Sequence, residues 1–208
     1  MFCDISIRRQ RGLPFDFTMI QSFQELEQTC KECKKCRLSE TRTNVVFGTG
    51  NPQAEVMFIG EGPGEQEDLT GFPFVGRGGK LLDKMLEAVD LSREKNVYIA
   101  NMVKCRPPQN RDPAPDEQES CIGYLRNQVY LIRPKIIVCL GRISAQKIIS
   151  PDFRVTKQHG EFILKNKTYL MGTFHPAALL RNPGSKPDAF ADFLKLRSLI
   201  EEICKHTY

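Results

Sequence analysis

Four cysteines constrain this chain more than any other feature. Cys33 and Cys36 form a C-x-x-C pair, and Cys105 and Cys121 return much later in the sequence. Four thiolates from two distant segments can close around one soft metal centre and pin the segments to each other. The second segment reads Cys105-Arg106-Pro107-Pro108-Gln109-Asn110-Arg111-Asp112-Pro113, with three prolines and two arginines. A stiff cationic loop anchored on metal is a device for meeting a polyanion with a fixed shape. Cys30 extends the run to Cys30-x2-Cys33-x2-Cys36, so five thiols are on offer where an iron–sulfur cluster or a zinc ion needs four. The residues themselves do not separate iron from zinc. Cys139, inside an apolar run, reads as a small buried hydrophobe, and Cys3 and Cys204 as incidental.

The rest of the composition narrows the class. The chain has 208 residues, 40% hydrophobic and 26% charged, which suits one globular domain with a small appendage. A net charge of +5 is a mild bias toward polyanions. No apolar run is long enough to span a membrane, and residues 1–20 lack the apolar core of a secretory signal. Eight cysteines in a chain of this length do not look like a secreted disulfide scaffold. A cytoplasmic protein that keeps its thiols for metal is expected, acting as a monomer with no membrane partner. Residues 1–18, with Arg8-Arg9-Gln10-Arg11, read as a mobile extension, and Met19 as a possible translation start; residues 19–208 read as a single domain.

Hydrophobic periodicity then places the elements. A first helix is expected over about 21–32, with Ile20, Phe23 and Leu26 on one face. Glu55–Gly60, Val97–Val103 and Ile136–Gly141 are continuous apolar runs of strand length. Leu81, Leu82, Met85, Leu86 and Val89 repeat at helical spacing. Pro115 opens a helix running to about Leu131, Ile143–Ile149 is a short helix, and a last helix covers 188–204. Phe162–Leu164 and Tyr169–Phe174 suggest a hairpin. Helices alternating with apolar strands imply an α/β fold, a three-layer α/β/α sandwich on a central, mostly parallel four-stranded sheet. Functional residues should then lie at the carboxyl ends of the strands, where the segments after Ile59, Val103 and Phe174 fall.

Two of those segments carry further chemistry. Gly60-Glu61-Gly62-Pro63-Gly64-Glu65-Gln66-Glu67-Asp68 ends a strand in glycines, which allow a backbone to approach a ligand closely. Residue 65 is Glu and no helix is expected to open there, so the segment is not a dinucleotide fingerprint. Phe72 and Phe74 follow, either as a platform for a flat ring at Phe74 or as two core residues. In Thr173-Phe174-His175-Pro176, a histidine at a strand end can donate a hydrogen bond to a developing anion. Leu179-Leu180-Arg181 offers an apolar wedge beside a phosphate-binding cation, a known way to open a base stack.

Taken together, these segments resemble the family 4 uracil-DNA glycosylases, the iron–sulfur class of that superfamily. The resemblance runs from about Met19 to Lys205. It rests on Gly60-Glu61-Gly62-Pro63-Gly64, on Glu67-Asp68 with Gly71-Phe72-Pro73-Phe74-Val75-Gly76-Arg77, on Asn101 to Asp112 with Cys105-Arg106-Pro107-Pro108, and on His175-Pro176. It implies a repair enzyme that flips uracil out of DNA, hydrolyses its N-glycosidic bond and leaves an abasic site. It also implies a 4Fe–4S cluster on Cys33, Cys36, Cys105 and Cys121, with Cys30 a spare thiol. By the same resemblance Phe74 stacks on uracil, Asn101 reads its edge, Gly62 lies against it and His175 faces O2. Well-known superfamily members carry an aspartate where this chain has Gly62. The water must therefore be oriented by another group, with Asn110 the first expectation and Glu61 or Glu67 the next. Lys104, Arg106, Arg111 and Arg181 are expected to hold phosphates and Leu180 to wedge. A cousin that traps uracil-DNA through a histidine in the loop after the third cysteine is disfavoured, because Arg106–Pro115 contains none. A non-catalytic metal module for DNA would leave Glu61, Asn101, Asn110 and His175 without a role. An enzyme for free nucleotides would not need the basic loops.

Overall fold

The computed structural model describes residues 22–208; the expectations for residues 1–18, for Met19, for Ile20 and for Cys3 lie outside them. Six strands form one sheet: β1 (Thr49–Gly50), β2 (Val56–Gly60), β3 (Val97–Asn101), β4 (Ile136–Leu140), β5 (Phe162–Lys165) and β6 (Thr168–Thr173). Their spatial order is β1-β3-β2-β4-β6-β5. The central four, β3, β2, β4 and β6, are mutually parallel, and β1 and β5 close the two edges antiparallel. The expected four-stranded sheet is thus the parallel core, and the full count is six. The hairpin supplies an edge strand of its own, and two residues of β1 pair with Tyr98 and Ile99.

Nine α-helices accompany the sheet among the described residues: α1 (Phe23–Lys31), α2 (Leu38–Thr41), α3 (Glu65–Thr70), α4 (Arg77–Glu87), α5 (Pro115–Ile132), α6 (Arg142–Ile148), α7 (Val155–Gln158), α8 (Pro176–Arg181) and α9 (Lys186–Ile203). None is long and apolar enough to cross a membrane. Successive strand side chains alternate between the sheet's faces, and every residue of β2, β3 and β4 is buried. Met57, Ile59, Ala100, Ile137 and Cys139 pack with Ile122, Leu125 and Val129 of α5 on one face. Val56, Phe58, Ile99, Val138 and Leu140 pack with Leu82 and Leu86 of α4 and Phe193 and Leu196 of α9 on the other. These layers are the α/β/α sandwich the apolar runs imply.

A helix does open after Gly64, contrary to expectation. α3 is polar except for the exposed Leu69, and its first turn is held by a carboxylate of its own: Glu67 Oε2 accepts from the Gly64 N–H at 3.1 Å. The chain passes from β2 to β3 on one side and then to β4 on the other. The crevice at the carboxyl ends of these strands is therefore a topological switch point, where α/β folds bind their ligands. The register brings Gly60 level with Asn101 and Leu140 level with Thr173 at that rim.

Candidate functional site

Three side chains from three segments meet at the rim. Asn101 ends β3 and is 1% exposed, yet its Oδ1 has no hydrogen-bond partner among the described residues. Buried acceptors are nearly always paired, so one left open beside a crevice points to a missing donor. A Cβ at Gly60 would collide with both this oxygen and the tip of the Phe74 ring, so only glycine leaves the three atoms room. The Phe74 ring centre lies 5.7 Å from that of His175, tilted by 34°. Phe74 is buried and Phe72 is 57% exposed, so the two do not form a core pair.

The turn that carries Phe74 is built from distant residues. Its φ is +54°, a left-handed conformation that a bulky side chain adopts only under constraint. Arg93 supplies the constraint by donating to the Pro73 carbonyl at 2.7 Å and the Phe74 carbonyl at 2.9 Å while pairing with Asp83. Gly79 lets α4 press on the same carbonyl, which a Cβ would strike. The far side of the turn rests on Glu67, whose Oε1 accepts from the Val75 N–H at 2.8 Å and the Gly76 N–H at 2.9 Å. Glu67, a catalytic candidate, has its carboxylate committed to this scaffold. Arg93 and Gly79 carry no signal in the sequence beyond a basic residue and a glycine pair.

His175 caps α8, and its Nδ1 accepts from the Ala177 N–H at 3.2 Å. Burial and the nearby Arg181 cation lower the imidazole to about 4, opposed by Glu67. The ring is neutral at physiological pH and carries its proton on Nε2. Gly141, at φ +93°, follows β4 close to the His175 Cβ, where a side chain would press on it.

Glu61 follows Gly60 and stands beside Asp112, whose carboxylate pairs with Arg142 at 2.6 Å. Burial, then the Asp112 charge and a carboxyl–carboxyl hydrogen bond, raise Glu61 to about 7, against a lowering by Arg142. Asn110 is exposed, at φ +56°, and its Oδ1 accepts from Arg106 Nε at 2.8 Å. Gly62 packs against Val103 and Pro107, joining the rim to the cysteine loop.

Beneath that loop, Cys30, Cys33, Cys36, Cys105 and Cys121 line one enclosed space with Arg42, Lys104 and Tyr124. No three His, Cys, Asp or Glu side chains among the described residues are grouped to hold a single metal ion. The five sulfurs face one common space, as ligands of a shared soft metal centre would. Burial pushes the Cys121 thiol up to about 12 and raises Cys30, Cys36 and Cys105, so thiolates there need a positive centre in the void. Arg42 Nη1 and the Lys104 backbone N–H already point at sulfur, donating to Cys105 Sγ and Cys121 Sγ at 3.2 Å each. Hydrogen bonds of this kind accompany cluster ligands. The donor set fits the implied group.

Two phosphate-binding expectations change. Lys104 is 1% exposed and its ammonium donates inward to the Asn101 carbonyl and to Gln128, so it cannot reach DNA. Its place between the cage and the sheet buries it. Arg111 remains partly exposed but grips Glu117 by donating from Nη1 and Nη2 to its two carboxylate oxygens at 2.8 and 2.6 Å. Glu117 is fully buried, takes a further bond from Arg37 and is held down to about 2, chiefly by Arg111. Arg111 therefore pins the cysteine loop to α5. Arg181 is exposed at the last turn of α8, and Leu180 beside it is half-buried, while Leu179 belongs to the core.

The model of the Uracil DNA glycosylase superfamily matches residues 47–196. A "Type-4 uracil-DNA glycosylase" of Archaeoglobus fulgidus is 44% identical over 191 residues, covering 86% of this chain and 94% of its own length. Proteins of the same description from Sulfurisphaera tokodaii and Thermotoga maritima are 46% and 41% identical, covering 86% and 89% of this chain and 86% and 98% of theirs.

Proposed function

This chain belongs to the type-4 uracil-DNA glycosylases and excises uracil from DNA, and we propose that it does so in the pocket of Phe74, Asn101 and His175 with Glu61 directing the water. The observation that carries the assignment is the buried, unpartnered Asn101 Oδ1. Uracil within a duplex is out of reach, so the nucleotide must be extruded into the pocket. Its N3–H then donates to Asn101 Oδ1, and the carboxamide N–H donates to O4. Cytosine offers an acceptor at N3 and a donor at C4, the reverse pattern. Phe74 supports the flat ring.

The bond between C1′ and uracil N1 breaks with its electron pair going to the base. Positive charge develops on the deoxyribose, as in other glycoside cleavages. The His175 Nε2–H donates to the O2 of the departing uracil anion, where the charge accumulates. A water adds to C1′ and gives its proton to Glu61, and the uracil anion takes up one proton as it leaves and Glu61 gives one up to solvent, so that free uracil, an abasic site and an ionised Glu61 result. Glu61 is favoured over the other two candidates because Glu67 is held by three backbone N–H groups and Asn110 by Arg106. Cys33, Cys36, Cys105 and Cys121 would hold a 4Fe–4S cluster, with Cys30 a fifth sulfur on the same void. When bound, that cluster cross-links the cationic loop to the rest of the fold.

The test is incubation of iron-replete protein with a uracil-containing oligonucleotide, then alkali and a gel. Scission at the uracil is expected, with absorbance near about 400 nm from thiolate-bound iron. Intact uracil sites in both single- and double-stranded DNA would overturn the assignment. A colourless protein carrying zinc would remove the cluster.

A further inference from the structure

Lys104 is buried, and no carboxylate among the described residues answers its charge. Its Nζ donates to the Asn101 carbonyl at 2.8 Å and to Gln128 Oε1 at 2.6 Å, and lies 5.9 Å from the centre of the Phe47 ring. Gln128 is itself fixed by donating to the Phe47 carbonyl and the Tyr98 hydroxyl. Two neutral oxygens and a ring face do not offset the desolvation of an ammonium. Its neighbours on the cage side are sulfurs: the Lys104 backbone N–H donates to Cys121 Sγ at 3.2 Å, and Cys30 and Cys105 line the same enclosed space. A cage of thiolates on iron is anionic, and Lys104 is the cation placed to balance it.

The same residue touches the uracil-reading strand. β3 ends at Asn101, the cage ligand Cys105 follows four residues later, and Met102, Val103 and Lys104 between them are all buried. The Lys104 backbone N–H donates to Cys121 Sγ, while its side chain turns back to the Asn101 carbonyl. One residue is thus bonded to a cage sulfur at its backbone and to the strand end at its tip.

We propose that Lys104 is a positioning residue for uracil excision: it balances the charge of the cysteine cage and holds the Asn101 carbonyl, coupling the loaded cage to the alignment of the base-reading carboxamide. The proposal rests on the iron-cage and uracil-pocket reading above. It makes the cage more than a remote staple, because its charge settles the ammonium that shapes the pocket floor. A lysine serving only to fill space would be matched by methionine, which has nearly its length and none of its charge.

The experiment compares holoprotein of wild type, Lys104→Met and Lys104→Arg. Two quantities are read: the reduction potential of the cluster, and kcat and KM on a single-stranded uracil oligonucleotide, normalised to bound iron. Removing the cation should shift the potential to more negative values in Lys104→Met, and Lys104→Arg should restore it. In Lys104→Met, kcat should fall about tenfold while KM for DNA stays within about twofold, as for loss of an aligning hydrogen bond away from the phosphates. A folded Lys104→Met protein with wild-type potential and kcat would overturn the proposal. So would a shifted potential with unchanged kcat, which would leave charge balance without coupling. Should Lys104→Met fail to fold, Lys104→Gln, which keeps a donor without the charge, carries the same two readouts. Wild-type protein lacking iron or uracil excision would instead defeat the underlying reading, so the two failures are distinguishable.

Discussion

The Nδ1 of His175 accepts a hydrogen bond from the backbone N–H of Ala177 at 3.2 Å. An N–H can only donate, so this contact fixes the tautomer and leaves Nε2–H to face the departing base. Replacing His175 with Ala should lower kcat by about 10²–10³-fold, the usual effect of losing one donor to a developing anion, and leave DNA affinity within about threefold. Equal losses in rate and affinity would argue for a binding role. The ring's ionisation has a second consequence. Its folded value near 4 lies below the ordinary 6.5, so the unfolded chain binds the proton first. Wild type should therefore lose stability relative to His175→Ala as pH falls from 6.5 toward 4, measured by urea midpoints. Parallel midpoints over that window would contradict a ring held neutral by the fold.

Glu61 sets the next expectation. If it takes the proton of the attacking water, it must be ionised, and kcat should rise with pH through about 7. Asp112 raises Glu61 by charge and by a shared hydrogen bond, whereas Arg142 lowers it. Asp112→Asn should consequently move the rising limb to lower pH, and Arg142→Gln should move it to higher pH. A limb that stays in place in both variants would take Glu61 out of the proton transfer.

Glu67 is expected to act through shape. Its two oxygens accept from the N–H groups of Gly64, Val75 and Gly76, which hold the entry to α3 and the turn after Phe74. Glu67→Gln turns an amide N–H toward at least one of those donors. Unfolding free energy should fall by about 2–3 kcal/mol, because hydrogen bonds to a charged acceptor are among the stronger ones. Activity should fall with it, as Phe74 loses its place. A variant as stable as wild type but inactive would return Glu67 to the chemistry.

How much of this was legible follows from where the signals lie. β2, β3 and β4 are buried on both faces, so their runs are apolar throughout and read directly as strands. The cage cysteines are chemically distinctive and could be named before any fold. β1, by contrast, is two residues long and exists only through its pairing with β3. α3 has no apolar stripe to betray it, because its start is held by Glu67 rather than by packing. Lys104 read as a surface cation since lysines nearly always are, and its burial depends on the cage formed around it. The Arg93 clamp on Phe74 spans 19 residues and joins two loops, a relationship that no periodicity encodes.

Arg181 and Arg111 should separate phosphate contact from internal support. Arg181 is exposed beside the pocket, at the end of the helix that His175 caps. Arg181→Ala should weaken DNA binding irrespective of sequence and reduce the slope of log K against log salt by about 1, as for one lost phosphate contact. Arg111 is committed to Glu117, which is buried and held down to about 2. A carboxylate with a lowered value contributes stability above its ordinary 4.5, and that contribution is lost as pH falls toward 2. Arg111→Ala should therefore leave the salt slope nearly unchanged, lower the urea midpoint at neutral pH, and flatten the loss of stability in acid. If Arg111→Ala instead takes about one unit from the salt slope with its midpoint intact, the arginine leaves Glu117 for DNA.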